Sequence, residues 1–171
     1  MINMKALFIG RFQPFHKGHL EVIKEFSRKF DKIIIGIGSS QYSHTRDNPF
    51  TAEERERMIR ESLRKEGVGN FEIYMIPDIH NYPRWVRHVE NTIPEKFDVV
   101  IARNPVTLRL FKEKGYAVKR PPRYGGEDCK GEIIRYRIAR GEKWRHLVPD
   151  AVAKIIDEVD GVERIRKLYV D

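Results

Sequence analysis

One cysteine, Cys129, is all the thiol chemistry the 171-residue sequence holds. It excludes an internal disulfide and cannot alone supply a thiolate zinc cluster. Long hydrophobic runs are missing too. No apolar stretch approaches the about 18 residues of a membrane helix, and Met1-Ile2-Asn3-Met4-Lys5 leads into a short apolar strand rather than a signal peptide. The expectation is a cytoplasmic protein without a membrane partner. There is no internal repeat, low-complexity tract or long linker, so residues 1–171 read as one domain, close to the usual size of about 150 residues. Acidic residues are the minority, 25 Asp and Glu against 33 Lys and Arg, for a net charge of +8. That balance favours an anionic partner, whether nucleotide, nucleic acid or anionic membrane. With 40% hydrophobic and 11% aromatic residues, material for a core is ample.

Apolar runs alternate with helical periodicity from the start, the pattern of a parallel sheet with crossover helices. The first strand reads as Ala6 to Ile9, and a helix carries Leu20, Ile23, Phe26 and Phe30. The run Lys32 to Ile37 suits a strand covered on both faces. Thr51-Ala52-Glu53-Glu54 reads as a capping box opening a helix to about Lys65. Strands follow at Phe71 to Ile76, Asp98 to Ile101 and Tyr116 to Val118. Helices are expected near Pro83 to Ile93 and from Pro105 to Lys114. Residues 120–131 read as a loop closing a core of about residues 1–130. Beyond it, Glu132 to Arg140, Pro149 to Val159 and Val162 to Tyr169 read as a helical tail, with Gly141 and Gly161 as helix stops. The fold class is α/β, a Rossmann-like open parallel sheet with a C-terminal helical extension.

The densest signal is Gly10-Arg11-Phe12-Gln13-Pro14-Phe15-His16-Lys17-Gly18-His19, between the first strand and the first helix. Open parallel sheets bind ligands at this position, where a helix N-terminus offers backbone N–H groups to phosphate. Without a side chain at Gly18, a phosphate could approach the backbone while both imidazoles face it. The same two histidines also suit a helix-capping pair, or a metal pair lacking its remaining ligands. Cys129 reads as inert, Trp144 as packing, His44 as a neighbour of the cleft, and His80, His88 and His146 as ordinary surface or interface residues.

This ten-residue stretch resembles the signature of the nucleotidylyltransferase superfamily of the HxGH type, and in wording stands nearest the archaeal-type nicotinamide-nucleotide adenylyltransferases. Gly36-Ile37-Gly38-Ser39-Ser40-Gln41, Asn48-Pro49-Phe50-Thr51-Ala52, Glu54-Arg55, Asn104-Pro105-Val106 and Gly161-Val162-Glu163-Arg164 extend the resemblance over nearly the whole chain. It implies transfer of AMP from ATP to nicotinamide mononucleotide, giving NAD and pyrophosphate, with Mg2+ accompanying ATP and no protein metal site. His16, His19, Arg11 and Arg135 would be catalytic. Gly10, Phe12, Gly18, Asn104 and Lys130 would join them in binding ATP, and Ser39, Asp78, Ile79 and Trp85 would bind the nicotinamide nucleotide, with Trp85 stacking on the ring. It also implies a homo-oligomer, with no nucleic acid among the partners.

The sequence departs from the family at its second phosphate signature, roughly Ser-x-Thr-x-x-Arg. Lys130-Gly131-Glu132-Ile133-Ile134-Arg135 keeps the arginine but replaces both hydroxyl residues with charges. Glu132 would repel a triphosphate unless it points away or joins a magnesium shell. Near the family's loop arginine, Arg46 falls one residue early and Asp47 takes the position. A paralogue with another phosphorylated acceptor therefore stays open. So does, from another class, a nucleic-acid-binding protein retaining the fold, suggested by the net charge and the basic stretch Arg135 to Arg145.

Overall fold

A computed structural model describes residues 3–170; Met1, Ile2 and Asp171, the chain ends in the sequence reading, lie outside the described residues. Five strands, β1 (Lys5–Gly10), β2 (Lys32–Gly38), β3 (Phe71–Ile76), β4 (Val99–Ile101) and β5 (Ala117–Lys119), pair in parallel in the order β3-β2-β1-β4-β5. The chain builds outward from β1 to β3, then crosses to the other side of β1 for β4. The strand order thus reverses between β1 and β4, which opens a crevice at their carboxyl ends.

Strand alternation sends Ala6 and Phe8 to one face and Leu7 to the other, and likewise separates Ile33, Ile35 and Ile37 from Ile34. The Leu7 face is covered by α3 (Tyr82–Thr92) and α4 (Pro105–Glu113) through Val86, Val89 and Phe111. On the Phe8 face lie α1 (Lys17–Lys29), α2 (Ala52–Lys65), α5 (Gly131–Arg140), α6 (Asp150–Glu158) and α7 (Gly161–Leu168). Ile138, Val152, Ile156 and Ile165 of the tail join the same buried cluster as Ile23 and Met58, with Trp144 packed beside them.

Local signals explain the boundaries. Thr51 accepts from the Glu54 N–H at 3.0 Å and Glu54 accepts from the Thr51 N–H at 2.9 Å, a reciprocal capping box. Gly141 ends α5 with φ 72, in the left-handed region that favours glycine. Gly161 is a correction: it begins α7 rather than stopping α6. It lies so close to Ile156 and Phe50 that a Cβ would meet them at 2.9 and 3.0 Å. A short 3-10 turn at Arg145–Leu147, absent from the sequence reading, joins α5 to α6.

Candidate active site

His16 caps α1. Its Nδ1 accepts from the His19 N–H at 3.3 Å, and the Nδ1 of His19 accepts from the His16 N–H at 3.1 Å. The two rings stack with centroids 3.5 Å apart. Phe15 stacks on His19 and Phe12 meets it edge-on at 4.8 Å. Because both Nδ1 atoms accept backbone protons, each neutral ring carries its own proton on Nε2. Burial, with the Arg123 charge adding to it, lowers His16 to about 3. Burial pushes His19 well below the usual histidine value, helped by His16 and Arg123. The cap fixes the tautomer, and the pair stays neutral with each Nε2–H left outside the cap.

The helix opening differs from the sequence expectation. The Gly18 N–H donates to Cys129 Sγ at 3.3 Å, so it is not free for a phosphate. The missing side chain at Gly18 instead makes room for the Tyr124 carbonyl and the His16 ring, each 2.9 Å from where a Cβ would stand. Cys129 Sγ also lies 3.4 Å from His16 Nδ1 and donates to the Leu147 carbonyl at 3.6 Å, and burial pushes its thiol pKa up. The open helix N-terminus belongs to α5. Lys130, its N-cap, makes no side-chain cap, and the N–H groups of Gly131, Glu132 and Ile133 have no partner among the described residues.

Two chambers meet at the histidines. The main crevice, about 570 Å³, has the Gly10 to His19 turn as one wall, Ser39, Asp78 and Trp85 on the β2–β3 side, and Asn104 and Lys130 on the β4 side. The second, about 890 Å³, holds Arg46, Asp47, Glu132, Arg135 and Tyr169, and shares Arg11, His16, His19 and Gly131 with the first. Two sequence-predicted residues sit differently. Ile79 lines neither chamber. Phe12 borders the second, but its ring is only 1% exposed and edge-on to His19, so it supports the imidazole.

Arg135 is 5% exposed, donates from Nη1 to the Gln13 carbonyl at 2.8 Å, and has a buried Nε without a partner among the described residues. Burial lowers its pKa, while Tyr169 and Asp47 oppose that shift. Asn104 accepts from the Val106 N–H at 2.8 Å and so caps α4. Asp78 is pinned by a reciprocal pair of bonds between its backbone and the Gln41 side chain. Among the described residues, no three His, Cys, Asp or Glu side chains gather as a metal-holding group.

Three arginines escaped the sequence reading in these roles. Arg55 is fully buried. It donates to the carbonyls of Arg11, Gly38, Ser39, Tyr42 and Thr51 at 2.9–3.3 Å, and burial, then Arg11, lowers its pKa to about 10. It fixes the loops after β1 and β2 together. The signal was present, since Arg55 stands three, four and eight residues before Met58, Ile59 and Leu63 on the apolar face of α2. Arg103 and Arg123 line the main crevice, and Arg103 has a buried Nε without a partner among the described residues. Nothing local in the sequence marks either one.

Residues 7–137 match the family described as cytidylyltransferase-like. A Methanococcus aeolicus protein named nicotinamide-nucleotide adenylyltransferase is 51% identical over 167 residues, 96% of this chain and 95% of that one. A Picrophilus torridus protein of the same name is 48% identical over 165 residues, 96% and 97% of the two chains. Among solved structures, a bifunctional NMN adenylyltransferase/ADP ribose pyrophosphatase from Francisella tularensis, complexed with AMP and a manganese ion, has a TM-score of 0.75 at 22% identity. That likeness covers 98% of this chain and 52% of the bifunctional one, and it concerns the fold.

Proposed function

The chain belongs to the cytidylyltransferase-like family, and from that premise we propose that it transfers the adenylyl group of ATP to nicotinamide mononucleotide, forming NAD and pyrophosphate. A phosphate oxygen of the mononucleotide attacks the α-phosphorus of ATP, a new P–O bond forms, and the bond to the β-phosphate oxygen breaks in line. No side-chain nucleophile is needed. The protein's work is to hold two anions in register and to stabilise charge developing on the transferred group and on pyrophosphate.

One observation carries the reading: a neutral histidine pair with fixed Nε2–H donors stands, with Arg11, where two chambers meet. In this reading His16, His19 and Arg11 donate to the α-phosphate region. Arg135, Lys130 and the open N-terminus of α5 take the outer phosphates. Gly10 and Asn104 border the adenosine, while Ser39, Asp78 and the Trp85 face hold the nicotinamide nucleotide. Mg2+ belongs to the substrate, arriving with ATP on phosphate and water oxygens. The reading includes action in the cytoplasm as a homo-oligomer, without a nucleic acid or membrane partner. No described helix is long and apolar enough to cross a membrane.

A pyrophosphate-release assay tests it, pairing ATP or CTP with nicotinamide mononucleotide, nicotinate mononucleotide, phosphopantetheine, flavin mononucleotide and glycerol phosphate. Turnover greatest with ATP and nicotinamide mononucleotide is expected; preference for another acceptor would overturn the reading in favour of a paralogous activity.

A further inference from the structure

From the way α7 grips the loop between β2 and α2, we infer that Tyr169 is a positioning residue: it holds the Arg46 guanidinium over the second chamber and makes the phosphate end of the site depend on the last helix. The inference rests on the proposed function, in which that chamber takes the outer phosphates of ATP and then pyrophosphate.

The loop is held at its base and at its tip. At the base, Arg164 of α7 donates to the Pro49 carbonyl at 3.0 Å and to both Glu54 carboxylate oxygens at 2.7 and 3.0 Å. The tip is a tight turn, in which the Thr45 N–H donates to the Asn48 carbonyl at 3.3 Å and the Asn48 N–H to Thr45 Oγ1 at 3.1 Å. Arg46 projects from this turn, and its guanidinium lies 4.3 Å from the centre of the Tyr169 ring. An exposed arginine on a loop tip samples many rotamers, so most of its conformations would not face a ligand. A π face beneath the guanidinium selects one of them. It does so without using the N–H donors at the guanidinium edge, which stay available for phosphate oxygens. Tyr169 and Arg46 line the same chamber as Arg135, whose buried Nε has no partner among the described residues.

The test compares Tyr169→Leu with Tyr169→Phe, each alone and combined with Arg46→Ala. The readouts are KM for ATP, KM for nicotinamide mononucleotide and inhibition by inorganic pyrophosphate, taken below the melting temperature of every variant. Tyr169→Leu is expected to raise KM for ATP and to weaken pyrophosphate inhibition by the same factor, about three- to tenfold, with KM for the mononucleotide unchanged. Tyr169→Phe keeps the ring and should keep the affinity, and Tyr169→Leu should add nothing once Arg46 is alanine. Pentafluorophenylalanine at position 169 preserves shape while reversing the ring quadrupole. It should reproduce the leucine effect even if the leucine variant fails to fold. Additive effects of Tyr169→Leu and Arg46→Ala, or loss of melting temperature with unchanged pyrophosphate inhibition, would overturn the inference. Arg135→Ala separates this failure from that of the underlying reading. If it weakens pyrophosphate while Tyr169→Leu does not, only the role of Tyr169 is lost; if neither matters, the chamber is not the phosphate site.

Discussion

At the scale of single residues, His19 does two jobs with two atoms. Nδ1 accepts the His16 N–H and closes the cap, while Nε2–H is the donor that the proposed function assigns to phosphate. His19→Ala removes both, along with the ring packed among Phe8, Phe12 and Phe15, so melting temperature and kcat should fall together. His19→Asn separates the jobs, because Asn Oδ1 occupies the place of Nδ1 but nothing reaches the place of Nε2. It should recover part of the melting temperature lost in His19→Ala, the part owed to the cap, while kcat stays about a hundredfold below wild type, the scale of losing one positioned donor. Thermal melting and steady-state kinetics on the two variants would read the difference. The histidine shifts also fix a pH dependence. Their folded pKa values lie below the unfolded value of 6.5, so as pH falls below 6.5 the unfolded chain takes up protons that the folded chain refuses. Stability should therefore fall as pH drops from about 6.5 toward 5, above the range where Glu95, lowered to about 2, begins to lose its contribution. Calorimetry across that window should show the slope in wild type and a shallower one in His16→Asn.

Elements determine how far such residues are legible in sequence. The continuous apolar run of β2, the Thr51–Glu54 capping box and the Gly141 stop are local patterns with local physical causes, and each element boundary they imply stands within a residue or two of the observed one. The 10–19 turn is legible because its chemistry is contiguous. The helical period places Arg55 on the apolar face of α2, but its bonds to carbonyls 13 to 44 residues away leave no mark in any local pattern. Arg55→Met should leave several buried carbonyls unpaired. It should cost about 3–5 kcal/mol of stability in denaturant titrations and raise KM for both substrates, because both loops lose their tie. In α5 the charged residues at positions 130 and 132 act on a helix N-terminus. Glu132 is exposed at the second chamber, so Glu132→Thr removes a like charge from the phosphates and should lower KM for ATP severalfold, at a helix-dipole cost of about 0.3–1 kcal/mol. Arg135→Ala should weaken ATP by more than about 2 kcal/mol. It should also lower the melting temperature, since its bond to the Gln13 carbonyl ties α5 to the signature turn.

For the whole molecule, the tail is as much a part of the site as the sheet is. Ile138, Val152, Ile156 and Ile165 share one buried cluster with Phe8 and Ile35, and Leu147 and Tyr169 reach the two chambers through Cys129 and Arg46. A core of residues 1–130 would expose that cluster and leave Gln13 and Glu54 without their arginine partners, so the chain should unfold in one calorimetric transition and the truncated core should not fold. The same unity decides between a nucleotide and a nucleic acid as the anion that the +8 charge attracts. A nucleic acid spread over the surface would bind with a steep dependence on salt. A nucleotide held between sheet, α5 and α7 stabilises all of them at once. Mg2+-ATP at about a hundred times its Kd should add about 2.7 kcal/mol, which is about 5–11 °C in the single melting transition for a chain of this size. That shift should shrink in Arg135→Ala and persist at moderate salt. A second transition that moves without the first would mean the helical tail closes on the nucleotide as a separate unit, and loss of the shift with salt alone would return the nucleic-acid reading.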